Sequence, residues 1–278
     1  MFFKDVSMSG GISFLPPLPG FTISPSVSGK SFWSLVNDGP LTLDSAGVWT
    51  IVPNTDFNYK IKMWGAGAGN SSISTAGGAG GSAVGTLQFV YNSTYLLVVG
   101  STTGGGTGST GGYFGGSITG APGAGYSGIF LNSQTQANAR IIAGGGGGSS
   151  FQSAGAGGGE FGQNGQDSGG SQNTYISGGP LSGGAGIAGG GGGGAGWYGG
   201  GGGAGSRGGT GGTQTQGGAT TPSLGVPGGG GGGSGYLHSS VINGILYTGN
   251  LATPGNNSDA NRGTSGNPST PGRIYIYL

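Results

Sequence analysis

The sequence predicts an all-β protein in which an antiparallel β-sandwich carries an inserted bundle of glycine tracts, with almost no α-helix. Short segments alternate apolar and polar residues, or form brief apolar runs, as strands do. Glycine supplies 78 of the 278 residues, and each glycine costs about 1 kcal/mol relative to alanine inside a helix. Unbroken runs of five or six glycines connect the apolar segments, and these runs are residues 144–148, 189–194, 199–203 and 228–233.

Six segments are predicted strands. Residues 59–63 and 85–91 alternate apolar and polar side chains with a period of two, which is typical of a half-buried strand. Residues 95–99 are apolar, residues 139–143 are apolar except for Arg140, and each segment is followed by glycine, as is typical of buried strands. The full set of predicted strands is 48–52, 59–63, 85–91, 95–99, 139–143 and 273–278.

The glycine tracts have two interpretations on composition alone, a flexible linker and an ordered bundle of polyglycine II helices. Collagen is excluded because it needs glycine at every third position with abundant proline. Polyglycine II has three residues per turn and a rise of about 3.1 Å, and its N–H and C=O groups bond to neighbouring helices. Large side chains within the tracts, and a connection of about 90 residues between strands, favour the ordered bundle. Side chains larger than alanine are then expected on the surface of the bundle or at its turns.

Composition divides the chain into two parts. Residues 1–45 are predicted to form an extended N-terminal attachment arm, because the proline-rich residues 15–20 are stiff; a plain N-terminal tail is the alternative. Residues 46–278 are predicted to form the glycine-rich sandwich and bundle, with residues 144–235 as the glycine-dense part.

Charge and residue usage exclude several function classes. Lys and Arg number 8 and Asp and Glu 7, and the chain has no cysteine and one histidine. A net charge of +1 gives no footprint for nucleic acid, and the lack of cysteine removes disulfides and cysteine metal sites. His238 has no acid nearby in sequence, and residues 29–31 imitate only the end of a phosphate-binding loop. We therefore expect no enzyme, no cofactor and no metal site, although Glu160 and Asp167 could pair in space.

Targeting signals are also missing from the sequence. Residues 1–11 lack the apolar stretch of a signal peptide. No apolar run approaches the roughly 18 residues of a membrane span. We expect a protein that does not insert into membranes.

The order of several motifs resembles a known glycine-rich domain. The segments are 48–53, 59–67, 77–81, 96–100 and 141–148. Over roughly residues 46–278 the chain resembles the extracellular glycine-rich domain of the anaplastic lymphoma kinase and leukocyte tyrosine kinase receptors. It also resembles phage tail-fibre adhesins and large-virus virion proteins. The resemblance implies a TNF-like, jelly-roll-type β-sandwich that frames a polyglycine II bundle.

Departures from the receptors move the expectation toward the viral relatives. The receptor domains are disulfide-bonded and follow a signal peptide, and this chain shows neither feature. The resemblance then implies a non-enzymatic virion surface protein, fibre- or adhesin-like, assembled in the host cell and exposed on the particle. Its partners would be other virion proteins through residues 1–45 and a host surface glycan or protein. By analogy with TNF-like sandwiches it would form a homo-oligomer, a trimer.

Two other functions stay open. A minor capsid or decoration protein would use the same fold only to cement subunits. An ice-binding protein would present a regular face of small residues with a period of three, which the tracts lack.

The candidate receptor-binding residues are large side chains among the glycine tracts. Such side chains do not fit between polyglycine helices, so they are expected on the rim or at the tips of the bundle. Aromatic rings flanked by amides suit a glycan or a protein loop. The candidates are Tyr113, Phe114, Phe161, Tyr175, Trp197, Tyr198 and Arg207; capping of the bundle is the alternative role for each.

Overall fold

The computed structural model describes residues 18–70, 76–103, 121–150, 153–165, 180–183, 193–198 and 229–278. These residues contain twelve strands, two 3₁₀ turns at Gln136–Asn138 and Ala260–Arg262, and no α-helix. The strands are β1 (Gly20–Val27), β2 (Lys30–Ser34), β3 (Leu41–Leu43), β4 (Gly47–Pro53), β5 (Phe57–Trp64), β6 (Ser82–Phe89), β7 (Tyr95–Val99), β8 (Ser127–Leu131), β9 (Ala139–Ala143), β10 (Tyr236–Leu237), β11 (Ile242–Tyr247) and β12 (Arg273–Tyr277).

The strands form two antiparallel sheets with one shared core. The seven-stranded sheet has the order β10-β9-β8-β7-β4-β1-β2, and the five-stranded sheet has the order β11-β6-β5-β12-β3. Alternate residues of β5 and β12 point inward, among them Tyr59 and Ile276, which are fully buried. They pack in one cluster with inward residues of the other sheet, such as Ile51 and Leu97. The all-β sandwich predicted from the sequence is confirmed.

The predicted N-terminal arm does not extend to residue 45. Strand β1 pairs with both β2 and β4 in the seven-stranded sheet, and β3 pairs with β12 in the five-stranded sheet. Phe21, Ile23, Leu41 and Leu43 are buried in the shared core. Each apolar side chain of this kind contributes about 1.5–3 kcal/mol when it is fully buried. Residues 18–45 therefore belong to the sandwich, while residues 1–17 lie outside the described residues.

Four glycine-rich segments adjoin strand ends at one end of the sandwich. Two of them leave it, residues 65–70 after β5 and residues 144–150 after β9. Others enter it, residues 76–81 before β6 and residues 229–235 before β10. At this end of the sandwich, the last residue of one segment bonds to the first residue of another, as in the 2.9 Å bond from Gly81 N to Gly144 O. The strands thus fix the position at which each of these four segments meets the sandwich.

The tract at residues 144–149, called the central tract, bonds to six neighbouring segments. Its successive N–H groups donate to three segments, through the pairs Gly145–Ala195, Gly146–Ala66 and Gly147–Gly155. Its carbonyls accept from three other segments, and every third carbonyl accepts from the same segment. Gly144 and Gly147 accept from Gly81 and Gly78, Gly145 and Gly148 accept from Gly233 and Gly230, and Gly146 and Ser149 accept from Ala124 and Ala121. These nine bonds are 2.8–3.0 Å long. Every backbone group from residue 145 to 147 is satisfied without a side chain.

Close approach explains why the central tract is glycine. A Cβ built on Gly146 would meet the carbonyl oxygen of Gly78 far inside 3.0 Å, a separation that real Cβ atoms essentially never show. Alanine occurs where a methyl group fits, and Ala66 and Ala124 are fully buried. Ser149, Ser150 and Ser234 are also fully buried. The structure thus buries serine in this region, where side chains larger than alanine were expected on the surface of the bundle or at its turns.

Candidate binding surfaces

Four of the seven candidate residues from the sequence lie outside the described residues. They are Tyr113, Phe114, Tyr175 and Arg207. The structure describes Phe161, Trp197 and Tyr198, and it brings the last two together.

Trp197 lies flat against a sandwich residue. Its ring stacks on that of Tyr236 in β10, with centroids 3.7 Å apart and an interplanar angle of 7°. Tyr198 meets Trp197 edge-on at 6.2 Å. One face of the tryptophan is therefore covered by Tyr236 and does not face solvent.

The same pair is tied to the backbone near the sandwich. The N–H of Trp197 donates to the carbonyl of Ser234 at 2.9 Å, and Ser234 comes two residues before β10. The side-chain amide of Gln136 donates to the carbonyl of Trp197 at 3.0 Å. Trp197 and Tyr198 thus lie at the junction of bundle and sandwich.

Phe161 is the most exposed of the three, with 62% of its surface accessible. Two residues further on, the Gln163 side chain accepts from Leu251 N at 2.6 Å and donates to Asn250 Oδ1 at 3.0 Å. The N–H of Gly235 donates to the carbonyl of Gly159 at 2.8 Å. Phe161 is therefore an exposed ring on a fixed loop, and this loop also lies beside the sandwich end of the bundle.

A second surface, not predicted from the sequence, covers the outer face of the five-stranded sheet. We call it the lysine–tyrosine face, and it consists of Lys60, Lys62, Tyr275 and Tyr277. Strand pairing places Lys60 opposite Tyr277 and Lys62 opposite Tyr275. The two tyrosine rings lie 5.4 Å apart, and both lysine ammonium groups lie 5.6 Å from the Tyr277 ring.

The two lysines of this face differ in their ion pairs. Lys62 Nζ lies 2.8 Å from Asp259 Oδ2 and donates to Asn261 Oδ1 at 2.8 Å. Partial burial acts to raise the pKa of Asp259, but the hydrogen bond and charge of Lys62, together with hydrogen bonds from Asn261 N and the Asn256 amide, outweigh the burial, so the pKa lies below its ordinary value. Lys60 is exposed and donates to the main-chain oxygen of Leu278 at 3.2 Å. Among the described residues, the carboxylate ion pairs engage Lys62, Arg273 and Lys30 but not Lys60.

The sequence contains the signal for this face. Lysines alternate with apolar residues in 59–63, and tyrosines alternate with isoleucines in 273–277. Alternation shows that both sets point outward, but it does not show that β5 and β12 are neighbours. That pairing, across some 200 residues of sequence, is what joins the lysines to the tyrosines.

His238 makes local contacts that restrain its ring. Its Nδ1 lies 2.8 Å from Ser240 Oγ and accepts from Ser240 N at 3.1 Å. Partial burial, and then the charge of Arg140, lower the pKa of the imidazole. The ring caps the turn between β10 and β11. In the described part of the chain no three His, Asp or Glu residues cluster as metal ligands would.

Comparisons with known proteins add no family assignment. No protein-family model matches the chain, and no curated protein matches it. Within the described ranges, no helix has the length and apolar character needed to cross a bilayer.

Proposed function

We propose that the chain is a non-enzymatic virion surface protein of the fibre or adhesin type, which contacts a host surface glycan or protein. The observation that carries the proposal is the central tract, whose backbone bonds to six neighbouring segments. The period of three in those bonds matches the three residues per turn of polyglycine II, and it supports that conformation for the tracts. Such a bundle, fixed at one end of a sandwich, is a stiff projection made almost without side chains.

Rigidity suits attachment because a pre-ordered surface loses little conformational entropy when it binds. Sparse charge fits the same role, since the buried tracts leave few positions for charged residues. We also propose that the protein forms a homo-oligomer and is exposed on the particle surface; the oligomeric state and the surface position can both be measured.

The test uses purified full-length protein and the particles that carry it. Immunogold labelling should place the chain on the particle exterior, and soluble protein should compete with particles for adsorption to host cells. Labelling only after the particle is opened, or unchanged adsorption at saturating soluble protein, would contradict the attachment role.

A decoration protein is the second candidate, and exposed isoleucines on β11 favour it. This strand is one of the two edge strands of the five-stranded sheet, and Ile242 and Ile245 are 52% and 49% exposed. In a cement role these side chains would be buried against other virion proteins. Cross-linking of intact particles distinguishes the candidates, because only the cement role predicts links from β11 to capsid subunits.

A further inference from the structure

The lysine–tyrosine face lies on a rigid support. The inward neighbours of its residues, Ile61, Ile274 and Ile276, are almost fully buried. They fix the strand backbone from below, so that the outward side chains are held at set positions. The backbone of the face is therefore held by strands rather than by the glycine tracts, and Lys62 is also held by a turn, through Asp259 and Asn261.

Its chemistry combines aromatic surface with positive charge. Two tyrosine rings lie side by side, and each ring offers an apolar face and a hydroxyl group. The adjoining positions on the same rungs carry hydroxyls, because Thr42 pairs with Tyr275 and Thr86 pairs with Lys60. Aromatic faces pack on the apolar side of a pyranose ring, while hydroxyls and ammonium groups bond to its oxygens.

Charge selects among saccharides. Lys60 is the cation of this face that no Asp or Glu side chain of the described residues pairs with; it is exposed, and its ammonium group donates to the main-chain oxygen of Leu278 at 3.2 Å. Lys30, on β2, makes a similar ring contact, 5.6 Å from Trp33, but it is paired with Asp38. An incoming anion at Lys60 therefore competes with the main-chain oxygen of Leu278, whereas at Lys30 it competes with the side-chain carboxylate of Asp38.

We propose that the lysine–tyrosine face binds an anionic saccharide, with Lys60 pairing with the acid group and the tyrosine rings packing against the sugar. The inference rests on the proposed attachment function for its biological setting, because it names the class of host ligand. Saccharide binding itself is measured without any host cell.

The experiment is calorimetric titration of the full-length protein at low salt with polygalacturonate, dextran sulfate and neutral dextran. The carboxylated or the sulfated polymer should bind and neutral dextran should not, and the two anionic polymers distinguish a carboxylate from a sulfate ligand. Added salt should weaken binding, because an exposed ion pair is screened. Binding of neutral dextran with equal affinity would overturn the proposal.

Matched variants locate the site. Lys60→Gln should raise Kd about tenfold, which corresponds to about 1.4 kcal/mol, and Tyr277→Ser should weaken binding similarly. Tyr277→Phe should keep most of the affinity, which separates loss of the ring from loss of fold. Lys30→Gln removes the same charge elsewhere and should leave Kd unchanged. Equal weakening by Lys30→Gln and Lys60→Gln would show nonspecific charge attraction and overturn the proposal.

Host-cell binding by Lys60→Gln separates this inference from the proposed function. If Lys60→Gln weakens neither saccharide binding nor cell binding, the inference is wrong, while attachment stands. If the saccharide binds through Lys60 but the natural protein does not bind cells, the saccharide site stands and the attachment function is wrong.

Discussion

The sandwich and the glycine bundle are stabilised by different parts of the chain. In the sandwich, side chains of both sheets fill one apolar core, with Phe89 stacked on Tyr95 at 4.5 Å. In the bundle, the central tract is held by backbone bonds to six neighbours. The sandwich is therefore sensitive to atoms that are removed, and the bundle to atoms that are added.

Loss of a core ring should have the largest effect. Phe89→Ala deletes a fully buried ring and leaves a cavity beside Tyr59 and Tyr95, which should lower the free energy of unfolding by about 4 kcal/mol. Urea denaturation followed by tryptophan fluorescence measures it. Phe32→Ala is the control, because Phe32 is 43% exposed. If both variants lost the same stability, the sandwich core would not be where the structure has it.

Addition of one methyl group should be nearly as costly in the bundle. Gly146→Ala forces a Cβ against the carbonyl of Gly78, where only backbone can move, and overpacking of this kind should cost about 3 kcal/mol. Gly69→Ala is the matched control, because a Cβ there meets nothing within 4 Å. Thermal unfolding of the two variants tests the contrast. Equal melting temperatures would show that the tracts are not tightly packed.

Removal of a buried hydroxyl should stabilise the sandwich. The hydroxyl of Tyr59 is buried without a hydrogen-bond partner among the described residues, and its ring is surrounded by Phe21, Phe57 and Phe89. Tyr59→Phe keeps the ring and removes the unsatisfied group, so unfolding should cost about 1 kcal/mol more. Tyr95→Phe is the control, because the Tyr95 hydroxyl accepts from Val90 N at 3.1 Å. Destabilisation by Tyr59→Phe would mean that the hydroxyl has a partner.

Alkaline pH should change the stability of the protein by a smaller amount, again because of the buried Tyr59 hydroxyl. Burial raises the pKa of Tyr59 to about 12 from an ordinary 10.0, so the unfolded chain loses this proton first. The stability that the neutral phenol contributes is complete below pH 10 and is lost as the pH rises toward 12. At pH 10.5 the loss should be about 0.8 kcal/mol, and Tyr59→Phe should lack it. Urea midpoints of both proteins at pH 8 and 10.5 test this, and an unchanged gap between them would contradict it.

Local sequence patterns were sufficient for strands with strong alternation or long apolar runs. The predictions for β7 and β9 match the structure to the residue, and those for β4, β5, β6 and β12 overlap it. Strand β1 was missed because its alternation is interrupted by Pro25 and by serines, and its burial comes from pairing with β4. The exposed residues of β11 carry no core pattern at all.

The candidate surfaces were harder to predict because they depend on distant pairing. Trp197 was identified as a large side chain that the tracts could not enclose, but its stacking on Tyr236 is a tertiary contact. The lysine–tyrosine face needs β5 beside β12, and nothing in either segment specifies that neighbour. Composition indicated which residues cannot lie inside the bundle, and it did not indicate at which end they emerge.

Uniformity of the central tract has a consequence for alignment. A run of identical residues with bonds repeating every three positions would look the same to its neighbours after sliding by one repeat, since no side chain marks its place. The strands that precede or follow each tract remove this ambiguity, because Ile141 and Ile142 of β9 and Trp64 of β5 each have a single buried site. The sandwich thus fixes the register of the bundle. A deletion of three glycines from a tract should shift the residues beyond that tract while it leaves the strands in place.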